Sequence, residues 1–210
     1  MISNIYKLKL VVIGEHATGK TSLIKNFVEG QFSKDYRPTI GSNLFIKQLA
    51  FRKSLDSPSL DSAIPTSENN LPDPISTEYQ VSLNLWDIAG QERWASIRHL
   101  YLRGAQGIII VGDLSRRLTY ELIESFWMKD LRENLDISNI PISLFANKTD
   151  LPPDISDQEV HAMAERINVK TVFFTSAKTG NHVMEAFQAL IEKCMGIPHL
   201  IPISLKEFKN

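Results

Sequence analysis

The sequence predicts an α/β fold: a six-stranded, mostly parallel sheet with one antiparallel strand and helices on both faces. Three observations carry that prediction. Short apolar runs of strand length alternate along the chain with polar loops and amphipathic segments of helical period. A loop bearing glycines and a lysine follows the first apolar run directly and opens a helical pattern. Three polar runs rich in chemistry each sit at the end of an apolar run, and sheets of this kind bind ligands beyond the carboxyl ends of their strands.

Residues 7–13 read as the first buried strand. The helix opening at Lys20 presents Leu23, Ile24, Phe27 and Val28 on one face. Residues 44–51 and 80–86 read as two antiparallel strands of a hairpin. The stretch between them, residues 52–78, holds Pro58, Pro65, Pro72 and Pro74 with serines, asparagines and acids in no period. Such a composition cannot bury enough surface to offset chain entropy, so it reads as a disordered hairpin insertion. It is either an insertion the hairpin tolerates or a docking segment for a partner. Further strands follow at 107–111, 142–146 and 172–175. Ser156-Asp157-Gln158-Glu159 resembles a capping box for a helix that buries Val160, Met163 and Ile167. The last helix carries Val183, Phe187, Leu190, Ile191 and Cys194 on one face.

With 210 residues, 43% hydrophobic and 22% charged, the chain suits one globular domain with a long loop or tail. A net charge of −1 without a basic stripe argues against a nucleic-acid partner. The single cysteine, Cys194, excludes a disulfide framework and fits a reducing cytoplasm. Ile2 replaces the glycine that myristoylation needs, and the last residues hold no cysteine to prenylate. No apolar run spans a bilayer. The expectation is a cytoplasmic monomer with no covalent lipid anchor, reaching membranes only through partners.

The first polar run is Gly14-Glu15-His16-Ala17-Thr18-Gly19-Lys20-Thr21. Its glycines let the backbone fold tightly, so that amide N–H groups and a helix N-terminus meet phosphate oxygens. Lys20 supplies a cation for the terminal phosphates, and the Thr21 hydroxyl suits Mg²⁺. By itself this loop allows many NTPases and small-molecule kinases. Asn147-Lys148-Thr149-Asp150 narrows the base. A carboxylate at 150 accepts from guanine N1–H and the 2-amino group, whereas adenine offers an acceptor at N1 and nothing at C2. Asn147 can bond the guanine N7/O6 edge or brace the loop, and the Lys148 stem can lie against the base. Ser176-Ala177-Lys178, just past a strand, can offer the Ala177 N–H to O6. The third run, Asp87-Ile88-Ala89-Gly90-Gln91, offers Asp87 to Mg²⁺ through water, the Gly90 N–H to the γ-phosphate and Gln91 to an attacking water. Thr39 can reach the metal once its loop closes over the nucleotide. Together the runs predict GTP and GDP as bound nucleotides, Mg²⁺ as cofactor and GTP hydrolysis. A metabolic kinase is disfavoured, because no acceptor-substrate lid is evident.

With these residues in place, the chain resembles the Ras superfamily of small GTPases, on its Rab-like side. Trp86-Asp87-Ile88-Ala89-Gly90-Gln91-Glu92-Arg93-Trp94, Tyr101-Leu102-Arg103-Gly104-Ala105 and Tyr36-Arg37-Pro38-Thr39-Ile40-Gly41 carry the likeness. It implies a P-loop NTPase G domain over residues 1–196, the insertion at 52–78 and a short tail at 197–210. It also implies a slow GTPase switch with effectors, an exchange factor and an activating protein as partners. Phe32 would stack on the guanine and Tyr36 would cover the phosphates. Ile40, Gly41, Leu44, Trp86, Trp94 and Tyr101 would face effectors. The chain departs from the Rab pattern at Ser42-Asn43-Leu44, in the missing C-terminal cysteines, in the insertion and at His16. A side chain at 16 stands near Gln91, which predicts slow turnover; equal single-turnover rates for the parent and His16→Gly would remove that idea. Retained Gln91 favours a working switch, while His16 keeps open a module held in the GTP state.

Overall fold

A computed structural model describes residues 4–32, 38–53, 77–91 and 95–206. The chain runs β1 (Asn4–Ile13), α1 (Lys20–Glu29), β2 (Ser42–Lys53), β3 (Thr77–Ile88), α2 (Ala95–Leu102) and β4 (Gly107–Asp113). Next come α3 (Leu118–Leu122), a π-helical turn (Ile123–Trp127) and α4 (Met128–Asn134), which follow one another without a break. β5 (Ile142–Asn147), α5 (Asp157–Arg166), β6 (Thr171–Thr175), α6 (Val183–Met195) and β7 (Ile201–Ile203) complete it.

The sheet has the order β6-β5-β4-β1-β3-β2-β7. β1 pairs in parallel with β3 and β4, and the parallel ladder continues through β5 to β6. β2 is antiparallel to β3 and to β7, so it alone runs against the rest. The sheet therefore has seven strands where the sequence pattern predicts six. The seventh comes from the tail: three residues including Pro202 pair with Ala50, Phe51 and Arg52. A proline cannot donate to a ladder, so its place is an edge strand such as this one.

Two apolar layers sandwich the sheet. On one side α1 and α6 cover Leu8, Leu10, Leu83 and Leu85, with Phe27 stacked on Phe187 at 4.1 Å and Phe145 edge-on to Phe187. On the other, Trp127, Met128 and Leu131 pack with Val160 and Met163 of α5 over Ile108, Ile110 and Leu144. The predicted capping box forms at α5: Glu159 N–H donates to Ser156 Oγ, and Ser156 N–H donates to Glu159 Oε2 at 3.0 Å. The β2–β3 ladder runs on to Arg52↔Glu78 and Lys53↔Thr77, closed by an Arg52–Glu78 ion pair at 2.8 Å. The ends of the predicted insertion are thus ordinary paired strand, and its remainder lies outside the described residues.

Leu200 ties the tail to the domain. It is 2% exposed in the α1/α6 core, its carbonyl accepts from Gln188 Nε2 at 2.6 Å, and its N–H donates to Glu192 Oε1 at 3.0 Å. Leu200→Ala is expected to cost about 2–5 kcal/mol of stability through lost burial and the cavity left behind. A urea midpoint equal to that of the parent would show that the tail does not hold the core.

Candidate functional site

The phosphate loop joins the end of β1 to the start of α1, as its sequence requires. Gly14 has φ 135°, and a Cβ there would stand 2.4 Å from the Val111 carbonyl oxygen of β4. Gly19 has φ 98°, and its Cβ would meet Asn147 Nδ2 at 2.3 Å. Both positions exclude any larger residue. Ala17 is also left-handed, at φ 57°. Thr18 is buried and turns its hydroxyl back onto the Glu15 carbonyl at 2.9 Å. Glu15 holds His16, accepting from its backbone N–H at 2.7 Å and pairing with its ring Nδ1, while the imidazole stays half exposed.

Lys20 lies beneath the loop and donates to the Gly14 and Glu15 carbonyls, both at 2.8 Å. Burial pulls its ammonium down to about 8, against the attraction of Asp87 and Glu15. Next to it, Thr21 Oγ1 donates to Asp87 Oδ2 at 2.5 Å and lies 3.0 Å from Thr39 Oγ1. Thr39 Oγ1 in turn reaches Asp87 Oδ2 at 3.3 Å. Burial raises the Asp87 carboxyl above its ordinary range despite the Thr21 hydrogen bond and the Lys20 charge, and its Oδ1 is buried with no hydrogen-bond partner. Two hydroxyls and a carboxylate with a spare oxygen are hard donors, and they suit Mg²⁺. Among the described residues no cluster of three or more His, Cys, Asp or Glu could hold a metal by itself. Phosphate or water oxygens would have to complete the shell.

The base-reading residues gather at the other end. Asn147 is buried at the end of β5; its Nδ2 donates to the Thr18 carbonyl at 2.8 Å, and its Oδ1 accepts from the Ala177 N–H at 3.1 Å. Of the two roles open to Asn147, the one realised here is the brace. The Ala177 N–H, expected to face O6, is engaged by that brace. Asp150 accepts from Ser176 Oγ at 2.6 Å and faces Lys178 Nζ at 3.4 Å. Burial pushes its carboxyl upward, but the Ser176 bond and the Lys178 charge outweigh it and hold the carboxyl below its usual range. Asp150 is therefore an ionised acceptor at neutral pH.

One cleft of about 680 Å³ connects the two ends, with Lys20, Thr21 and Gly90 at one end and Asp150 and Lys178 at the other. Phe32, Thr39 and Gln91 also line it, with Phe32 partly exposed. Of the residues expected to face effectors, Ile40 and Leu44 are exposed, and Trp86 meets Tyr101 at 5.7 Å between ring centroids. Gly41 is buried, and its carbonyl accepts from the Ala89 N–H at 2.9 Å. Tyr36, Arg37 and Trp94 lie outside the described residues.

Three groups important here, Asp113, Arg116 and Arg98, escape a motif-based reading. Asp113 ends β4 and Asp87 stands one residue before the end of β3, and an acid closing an apolar strand is the one sequence signal that could have marked it. It pairs with Lys148 Nζ at 2.7 Å and Arg116 Nε at 2.8 Å. Arg98 of α2 is 1% exposed, bonds Asp130 Oδ2 at 3.0 Å and lies 4.5 Å from the Trp127 ring centroid. It fastens α2 to the π turn and α4.

The sequence profile of the Ras family matches residues 9–196, nearly the whole span from the first strand through α6. The chain belongs to the Ras family. Rab-1 of Theileria parva is 32% identical over 205 residues, covering 95% of this chain and 81% of that protein. Rab-7L1 of Homo sapiens is 32% identical over 200 residues, covering 93% of this chain and 86% of its own. Rab-32B of Dictyostelium discoideum is 32% identical over 193 residues, covering 90% of this chain and 65% of its own. This Ras-family protein is thus a Rab-like small GTPase, with the α/β architecture expected of one. No helix among its described residues is long and apolar enough to cross a membrane.

Proposed function

We propose that this Rab-like GTPase binds GTP and GDP with Mg²⁺, cleaves GTP slowly to GDP and phosphate, and signals its state through the loops around Thr39 and Gly90. The observation that carries the reading is one cleft with an ionised carboxylate, Asp150, at one end and the buried Lys20 beside Thr21 at the other. Mg²⁺, when held there, would supply positive charge that offsets the phosphates. Lys20 would exchange its two loop carbonyls for phosphate oxygens, while Thr21, Thr39 and Asp87 would hold the metal, Asp87 through water. Gln91 would orient the attacking water, and the Gly90 N–H would bond the γ-phosphate. Loss of that phosphate would release Gly90 and Thr39 together, changing the surface around Ile40, Leu44, Trp86 and Tyr101 that effectors would read. An exchange factor and an activating protein would set the rates, and membrane contact would come through partners.

Calorimetry with Mg²⁺ tests this directly: GTP should bind at least about 10³-fold more tightly than ATP, because the Asp150 carboxylate would face an acceptor, N1, on adenine. Equal affinities would overturn it. A GTP-held interaction module is the second reading, favoured by His16, which lines the same cleft as Gln91. The nucleotide that copurifies separates the two, since GDP indicates turnover and GTP a locked state.

A further inference from the structure

Behind the phosphate loop, and not among the cleft-lining residues, lies Arg116 on the turn after β4. Its Nη2 donates to the main-chain carbonyl of His16 at 2.8 Å, and its Nε donates to Asp113 Oδ2 at 2.8 Å. Asp113 is fully buried, accepts from the Ser115 N–H at 3.0 Å and Oγ at 2.6 Å, and pairs with Lys148 at 2.7 Å. One carboxylate thus holds a cation from the base-reading run and a second cation that grips the phosphate loop.

A peptide unit is planar and trans, so its C=O and N–H point to opposite sides. With the His16 carbonyl tied outward to Arg116, the N–H of Ala17 turns the other way, toward the cleft that Ala17 lines. Ala17 needs support there, because φ 57° is disfavoured for a residue with a Cβ. A guanidinium on the carbonyl also polarises the peptide and strengthens its N–H as a donor. We propose that Arg116 is a positioning residue: it holds the His16–Ala17 peptide with its N–H facing the phosphates of the bound nucleotide, on an anchor, Asp113, shared with Lys148. The inference rests on the cleft being the guanine-nucleotide site.

The test compares Arg116→Ala, Arg116→Lys and a control, Arg117→Ala, whose side chain is exposed and pairs with Glu159 away from the loop. GDP release in the presence of Mg²⁺ and the amide ¹H–¹⁵N spectrum of the GDP complex are measured for each. Arg116→Ala should speed release by about tenfold, the worth of one charge-assisted hydrogen bond. It should also shift the Ala17 amide proton upfield while the Asp150 and Ser176 amides stay in place. Lysine keeps the charge but cannot make both bonds of the fork, so Arg116→Lys should shift the same signal in the same direction, less far. That variant decides the matter if the alanine form does not fold. An Ala17 amide unmoved in the folded variants, or equal release from Arg117→Ala, overturns the proposal. A parent that takes up no GDP instead overturns the reading of the cleft, and this inference with it.

Discussion

Asp150→Asn is expected to lower GTP affinity by about 10³-fold or more while sparing the fold. Guanine presents two donors on this edge, N1–H and the 2-amino group, and only a carboxylate offers an acceptor to each. An amide supplies one acceptor and sets its NH₂ against the second donor. The charge is lost as well, and the surroundings are built to keep it: Ser176 Oγ donates at 2.6 Å and Lys178 stands at 3.4 Å. Xanthine carries a carbonyl in place of the 2-amino group, so the same substitution should improve XTP binding. Competitive displacement of a fluorescent guanine nucleotide by GTP and XTP reads both effects. GTP affinity within a few-fold of the parent would mean that Asp150 does not read the base.

Gly90→Ala should cut single-turnover GTP cleavage by about 10²-fold, the usual effect of losing one preorganised donor to a developing charge. A Cβ at 90 would stand 2.5 Å from the Gly14 oxygen, 2.5 Å from the His16 nitrogen and 2.6 Å from the Glu15 carbonyl carbon. These atoms belong to backbone that cannot give way. Gly14 is pressed against β4, and Lys20 holds the Gly14 and Glu15 carbonyls from below. The segment around Gly90 must swing outward instead, carrying its N–H and Gln91 away from the γ-phosphate position. GDP binding should stay near the parental value, since Lys20, Thr21 and Asp150 are untouched. Unchanged cleavage would show that Gly90 need not approach the loop for hydrolysis.

Much of the fold and site was legible because the residues involved are contiguous. Gly14, Gly19 and Lys20 satisfy a single loop's steric and electrostatic needs, so their spacing is local. The β2–β3 hairpin and the α5 capping box are local in the same sense. The helices spanning 95–102 and 118–134 were not announced by apolar period. One contains a π turn that shifts its register, and α2 turns a charged residue, Arg98, into the core. A charge is normally read as surface, and only its pairing with Asp130 and the Trp127 ring makes burial tolerable. β7 was missed because three residues with a central proline carry too little alternation to register as a strand.

By itself, the sequence determined the α/β class, the three runs at strand ends, the glycines the phosphate loop cannot replace and the carboxylates at 87 and 150. The tertiary structure alone decided that Asn147 braces the phosphate loop, that the tail closes the sheet edge at β2, and that Gly41 is buried. It alone placed Arg116 on the His16 carbonyl, 100 residues away in the chain. The division is physical: backbone strain and phosphate geometry constrain neighbouring residues and so leave a pattern, whereas a hydrogen bond across the sheet constrains only its two ends.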